Sequence, residues 1–296
     1  MYNQIDSNKR KTWLLMIIFF IVIVILGWVI GEIYNLGYAG IILAAFLAII
    51  MNLFGYFNGD KVALSVSGAQ AIKKEDNPYV YRLVENLCIT AGLPLPKIYL
   101  IDDPNINAFA TGRKPENSSI AITTGAIAKL ENEELEGVIA HELSHIKNYD
   151  IRLMTIVIIC VGIVTLIADF FLRAQFFFGG HRNRDNNQAG AVLMIVGLVL
   201  AILSPIFATL IQLAVSRKGE YLADASGVLL TRYPEGLARA LEKISAQNQQ
   251  PMRRANHATA HLYISNPFKT IGKKTGSLFS THPPIEDRVA KLRQMA

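Results

Sequence analysis

Residues Val138–Tyr149 read VIAHELSHIKNY and carry His141, Glu142 and His145 in the pattern H-E-x-x-H. On a helix, residues four apart lie one turn apart on one face, so His141 and His145 can present two imidazoles to one metal ion. Glu142, beside the first histidine, is placed to take a proton from a water at that metal. Two ligands and a general base on one helix are the minimal kit for metal-assisted hydrolysis. The surroundings favour a helix. Leu135, Val138, Ile139, Leu143 and Ile146 form an apolar side at helical spacing, and Glu131, Glu133 and Glu134 enrich the first turn, with Asn132 as the expected N-cap. An amphipathic helix with two incidental histidines is the bland alternative.

Outward from this stretch, composition points to a membrane. Of the 296 residues 52% are hydrophobic and 18% charged, and mean hydropathy is +0.32. The apolar residues are concentrated in long charge-free runs, unlike the core of a soluble domain. The net charge of +6 suits anchoring by Lys and Arg. The basic residues are dispersed and no nucleic-acid motif accompanies them, which disfavours nucleic acid as a partner. Cys88 and Cys160 form neither a disulfide framework nor a metal knuckle.

The first run, Trp13–Ile30, follows Lys9, Arg10 and Lys11 and has no signal-peptidase-like site after it. The second, Tyr38–Phe57, has the ~20 residues that a helix needs to cross the hydrocarbon. They predict an N-terminal membrane hairpin over residues 1–57. Leu153–Leu172 and Ala189–Val215 predict a second hairpin, within residues 153–215. Basic residues before the first span, none in Gly31–Gly37, and Lys61, Lys73 and Lys74 after the second place the N-terminus and residues 58–152 in the cytoplasm. Arg173, Arg182 and Arg184 in the loop 173–188 run against that rule, so spans three and four entering without crossing is the competing topology. His181 in this loop is expected in solvent. Span interiors nearly lack ionisable residues, which disfavours a transporter.

Residues 58–152 read as α+β: a helix over Asn77–Ala91, strands at Lys97–Ile101, Asn107–Thr111 and Ile120–Thr123, a hairpin turn between the last two, then the H-E-x-x-H helix. Residues 216–296 read as mainly helical and complete the same cytoplasmic domain. The fold class expected is therefore a mainly α, α+β membrane protein: four transmembrane helices and a cytoplasmic, zincin-like metallopeptidase domain with a small sheet.

Two histidines leave a catalytic zinc one protein ligand short. Glu220, in SRKGEYLAD just beyond the fourth span, is the candidate. An antiparallel hairpin of spans three and four would return it to the membrane face where His145 lies. Asp224, four residues on, lies on the same helical face and can accept a ligand histidine's free N–H. His257 and His261 share the i, i+4 spacing, but no acid follows the first, so they rank below His141 and His145 as a second metal site.

Taken together, HELSH, SRKGEYLAD, NAFATGR and STHPPIEDR resemble the HtpX-type membrane zinc peptidases, relatives of the CaaX prenyl-processing proteases. The resemblance runs from the first span to Arg288. It implies one Zn2+ per subunit on His141, His145 and Glu220, Glu142 as catalytic base, Asp224 in support, and His282 as a transition-state stabiliser. It further implies that Asn107, Ala108 and Phe109 bind an extended substrate at a sheet edge. A turn-fixing role for His282 and an internal strand at Asn107–Thr111 are the structural alternatives, and Arg288 pairs with a site carboxylate or is solvated. The implied activity is endoproteolysis of membrane proteins at the cytoplasmic face of the cell membrane, in quality control and stress response, with membrane-protein substrates and fellow quality-control proteases as partners. A CaaX-type processing enzyme and a non-catalytic zinc-stabilised scaffold are the rival readings.

Overall fold

The computed structural model of the chain describes residues 2–33, 35–178, 216–247, 250–254, 256, 258–268 and 283–295. Two long helices open it, α1 (Tyr2–Ile33) and α2 (Tyr38–Val66). Among the described residues these are the two helices long and apolar enough to cross a membrane, over Gln4–Glu32 and Tyr38–Val66. Both extend beyond the apolar runs by several polar residues, because helical hydrogen bonding continues past the hydrocarbon limit. They pack closely through small residues: a Cβ on Gly27 would stand 2.0 Å from that of Ala44, and one on Gly40 2.8 Å from Gly31 Cα. Trp13, Ile17, Ile42, Phe46 and Phe54 are exposed on their outer faces, as lipid-facing side chains are.

The sheet has four strands in the order β1-β2-β4-β3: β1 (Gln70–Ala71), β2 (Lys97–Ile101), β3 (Ala108–Lys114) and β4 (Asn117–Thr123). β2 and β4 are parallel, while β1–β2 and β3–β4 are antiparallel. β1, too short for a periodicity signal, is an addition to the three strands expected. β3 and β4 form the expected hairpin, and β3 is one of the two edge strands. Gly112 lies at φ 139°, where a Cβ would sit 2.4 Å from the Asn117 carbonyl oxygen. The register shift next to it needs that backbone.

Strand alternation divides the molecule into two cores. Ala108, Ala110, Ile120 and Ile122 face a core shared with α3 (Pro78–Ala91), α5 (Asn132–Lys147), α8 (Pro234–Gln247) and α9 (Ile285–Arg293). Phe109, Ala121 and Ile101 face the other way, onto α1, α2 and α6 (Asp150–Phe178). Residues from early and late in the chain thus share the first core. The second joins the sheet to the two candidate membrane helices and to α6.

α3 begins as expected: the Asn77 side chain accepts from the Val80 N–H at 3.1 Å. For α5 the expected N-cap is corrected from Asn132 to Glu131. Glu134 reaches back to the Glu131 N–H at 2.9 Å in a capping box, while Asn132 Oδ1 accepts from the Tyr79 hydroxyl at 3.1 Å. A short α4 (Thr124–Lys129) precedes α5, and α7 (Arg217–Thr231) and α8 follow the undescribed stretch. α6 is helical over the third expected span. Its first turns are buried, with Ile151, Val157 and Ile158 at 2% exposure or less. The fourth span, the loop residues 179–188 and His181 lie outside the described residues.

Candidate metal centre

The site forms where α5 crosses α7. The approach is close because α7 presents Gly227: a Cβ there would lie 3.1 Å from the His141 backbone nitrogen. One helix supplies His141 and His145, the other Glu220. Nε2 of the two histidines stand 3.2 Å apart. The Glu220 carboxylate lies 3.5 Å from His145 Nε2 and 3.9 Å from His141 Nε2. All three residues are buried and are the one His/Cys/Asp/Glu group among the described residues gathered closely enough to hold a metal.

The outer nitrogens explain why this arrangement calls for a cation. His141 Nδ1 faces Asp224 Oδ1 at 2.9 Å, and His145 Nδ1 faces Asp150 Oδ2 at 2.9 Å. A carboxylate facing a ring nitrogen is met by an N–H, so each Nδ1 carries a proton, and a bound ion would take the inward Nε2 of each ring in place of any second proton. Two Nε2 atoms and a carboxylate then converge on the position of that ion. Two nitrogens bound tetrahedrally to one zinc-sized ion at ~2.05 Å would stand about 3.3 Å apart, close to the separation seen. Glu142, Asp150, Glu220 and Asp224 are all buried here against one buried guanidinium, Arg288, an excess of acidic groups that a divalent cation would offset in large part.

Arg288, on α9, is fully buried. It donates through Nε and Nη2 to both Asp224 oxygens, at 2.9 and 2.7 Å, and its Nη1 lies 3.7 Å from Glu220. Of the two readings of Arg288, the structure selects the pair with a site carboxylate. Burial works against an ionised Asp224, but Arg288 and His141 outweigh it and hold the carboxyl down near about 2. Burial likewise opposes charge on His145, yet Asp150 and Glu220 draw its pKa up to about 9. The Glu142 carboxyl is raised, chiefly by burial, although the two histidines and a hydrogen bond from the Ala110 N–H pull the other way.

The β3 edge runs beside the site. Ala108, Ala110 and Gly112 alternate with residues paired to β4, so their backbone groups point outward. In this conformation the chain's own groups meet them. The Ile264 N–H donates to the Ala108 carbonyl at 3.1 Å. Ala110 N–H serves Glu142. Thr155 Oγ1 accepts from Gly112 N–H at 3.2 Å. The Asn107 amide is buried and exchanges hydrogen bonds with Ser265, at 3.1 and 3.3 Å. Phe109 packs edge-on to Tyr263 with ring centroids 5.0 Å apart.

Of the residues singled out from sequence, His141, Glu142, His145, Glu220 and Asp224 are brought together, and Asn107 and Ala108 line the neighbouring edge; Phe109, expected there for backbone pairing, instead turns its backbone to β4 and its ring to Tyr263, which leaves Ala110 as the next outward-facing residue. His282 and His257 lie outside the described residues. His261 is buried, with Nε2 3.1 Å from the Met154 carbonyl, away from the metal cluster. Sequence reading missed Asp150. Its signal was faint: an acid five residues past His145, beyond a turn that brings it back to the ring.

The model of peptidase family M48 matches residues 74–296. The chain belongs to that family. Full-length relatives agree: it is 47% identical over 294 residues to the protease HtpX homolog of Dictyoglomus thermophilum, covering 99% of this chain and 94% of that one. It is 44% identical over 301 residues to the homolog of Lactobacillus acidophilus, with full coverage of both. The crystal structure of S. mikatae Ste24p is similar in fold, with a TM-score of 0.53 at 18% identity, over 99% of this chain and 67% of that one. As a family M48 peptidase the chain is a metalloprotease, a hydrolase of peptide bonds, and its His/His/Glu cluster is the metal-binding candidate.

Proposed function

We propose that this chain is a membrane-integrated, zinc-dependent endopeptidase that cuts loops and tails of membrane proteins at the cytoplasmic face, in membrane-protein quality control. The observation that carries the reading is the convergence of two inward-facing Nε2 atoms and the Glu220 carboxylate beside Glu142. The packing of the sheet against α1, α2 and α6 in the second core supports a site near the bilayer surface, where such substrates are reached.

His141, His145 and Glu220 would hold the ion, with Asp224 and Asp150 fixing the proton on each Nδ1. Zinc bound there would supply Lewis acidity toward the scissile carbonyl and a water. Glu142 removes the proton from the attacking water and delivers it to the amine nitrogen as the peptide bond breaks. An extended substrate adds to β3 by backbone pairing at Ala108 and Ala110, with Asn107 hydrogen-bonding near the scissile amide. It can do so only as Ile264 and Ser265 release that edge. His282 donates to the developing oxyanion.

The test is Glu142→Gln in the purified, detergent-solubilised chain. Metal content stays at the wild-type level and cleavage of a membrane-protein substrate falls by at least ~100-fold, in line with loss of a general base. Zinc retention with cleavage at the wild-type rate would remove Glu142 from the role. Cleavage that survives complete removal of the metal by a chelator would remove the metal.

A further inference from the structure

The metal centre extends beyond the segment that matches the peptidase family, which begins at residue 74. Asn8, near the start of α1 and 2% exposed, sends its side-chain amide into the turn that joins α5 to α6. There Nδ2 donates to the Asn148 carbonyl at 3.0 Å and to Asp150 Oδ1. The other oxygen of Asp150 is the one facing His145 Nδ1. A single amide thus bridges both ends of a turn whose middle residue, Tyr149, holds a left-handed φ of 61°. Such a backbone persists only where its surroundings hold it. Lys9 on α1 and Arg152 on α6 lie over the Tyr149 ring, 4.7 and 5.0 Å from its centroid.

We propose that Asn8 is a positioning residue for the metal ligand His145, acting through Asp150, so that the first membrane helix completes the metal centre. The proposal rests on His145 being a ligand. A carboxylate on a ligand histidine fixes its tautomer and ring direction, and losing it lowers metal affinity about 10–100-fold. Asn8 holds that carboxylate from behind: with one oxygen anchored, Asp150 keeps the other aimed at Nδ1. Without the amide, Asp150 is a buried acceptor short of a donor, free to turn towards other partners. Loss of the Asn8 amide is one bond further from the metal, so its effect is smaller.

The experiment titrates Zn2+ into the metal-stripped, full-length chain in detergent, against a chromophoric chelator, and records the unfolding midpoint of the metal-free form. Asn8→Leu keeps the branching of the side chain but has no donor, and Asn8→Ala is its partner should Leu disturb folding. Either weakens zinc binding by about 3–10-fold, below the range for a direct partner. Thr12→Val, which removes a hydroxyl bonded to the Asn8 carbonyl at 2.8 Å and leaves the amide in place, binds as wild type. In an Asp150→Ala background, Asn8→Leu has no further effect, which a general structural role would not produce. Wild-type affinity of both Asn8 variants, or the same fold-loss with and without Asp150, overturns the proposal. His145→Ala separates the two layers. If it binds zinc as wild type, the ligand assignment itself has failed; if it loses zinc while the Asn8 variants do not, only the role of Asn8 has failed.

Discussion

Replacing Arg288 by Met tests how the site holds together before any ion arrives. The guanidinium is fully buried and bonds both Asp224 oxygens, at 2.9 and 2.7 Å, with Glu220 3.7 Å away. Met fills much of the volume, so the dominant loss is charge compensation. Removing one partner of a buried pair costs about 3–5 kcal/mol, because the remaining charge is left desolvated. Two carboxylates lean on Arg288, which favours the upper part of that range. At about 2–4 °C per kcal/mol for a chain near this size, the unfolding midpoint falls by roughly 6–20 °C. The measurement is made with chelator present, since bound metal would neutralise the same carboxylates and mask the loss by linkage. Asp224→Asn supplies the second arm of a double-mutant cycle. In that background Arg288→Met costs at least ~1 kcal/mol less, because the charge it would strand is gone. A drop under ~1 kcal/mol for Arg288→Met, or equal drops in both backgrounds, would refute the idea that this pair carries the site's compensation.

Other consequences are as direct. Gly112→Ala places a Cβ 2.4 Å from the Asn117 carbonyl at φ 139°, so thermal melts should show a loss on the order of 1–3 kcal/mol; a neutral result would mean the bulge relaxes freely. Burial pushes the Cys88 thiol up to about 12, leaving a thiolate fraction of about 10⁻⁴ at pH 8. In a Cys160→Ser background, maleimide should label Cys88 only after denaturation, and labelling at the rate of a free thiol would contradict its burial. A non-cleavable peptide bound to the Glu142→Gln variant should speed hydrogen exchange at the Ile264 and Ser265 amides, since both sit where the substrate strand must go. Unchanged or slower exchange there, with the peptide bound, would place the substrate elsewhere.

Much of this was legible in one dimension. H-E-x-x-H at i, i+4 on an apolar-sided stretch marks a helix and its chemistry, because helical geometry is local and repeats every 3.6 residues. The membrane runs are legible for a similar reason: span length and freedom from charge are properties of a continuous segment. The α5 cap shows the limit even of local reading. Composition favours Asn132 as the N-cap, yet Glu131 takes that position, with Glu134 reaching its free N–H and Asn132 turned to Tyr79.

What only the tertiary structure decided are the contacts that join distant segments. Arg288 was equally a surface charge or a site residue until α9 packed beside α7. Asn107–Phe109 read as an edge strand, but that Ile264 and Ser265 lie along that edge follows from a return of the chain after more than 150 residues. Asp150 and Asn8 carry no spacing signal linking them, being 142 residues apart. Periodicity encodes which face a residue takes on its own element. Which faces then meet depends on how several elements bury their apolar sides at once, and that is a property of the packed whole.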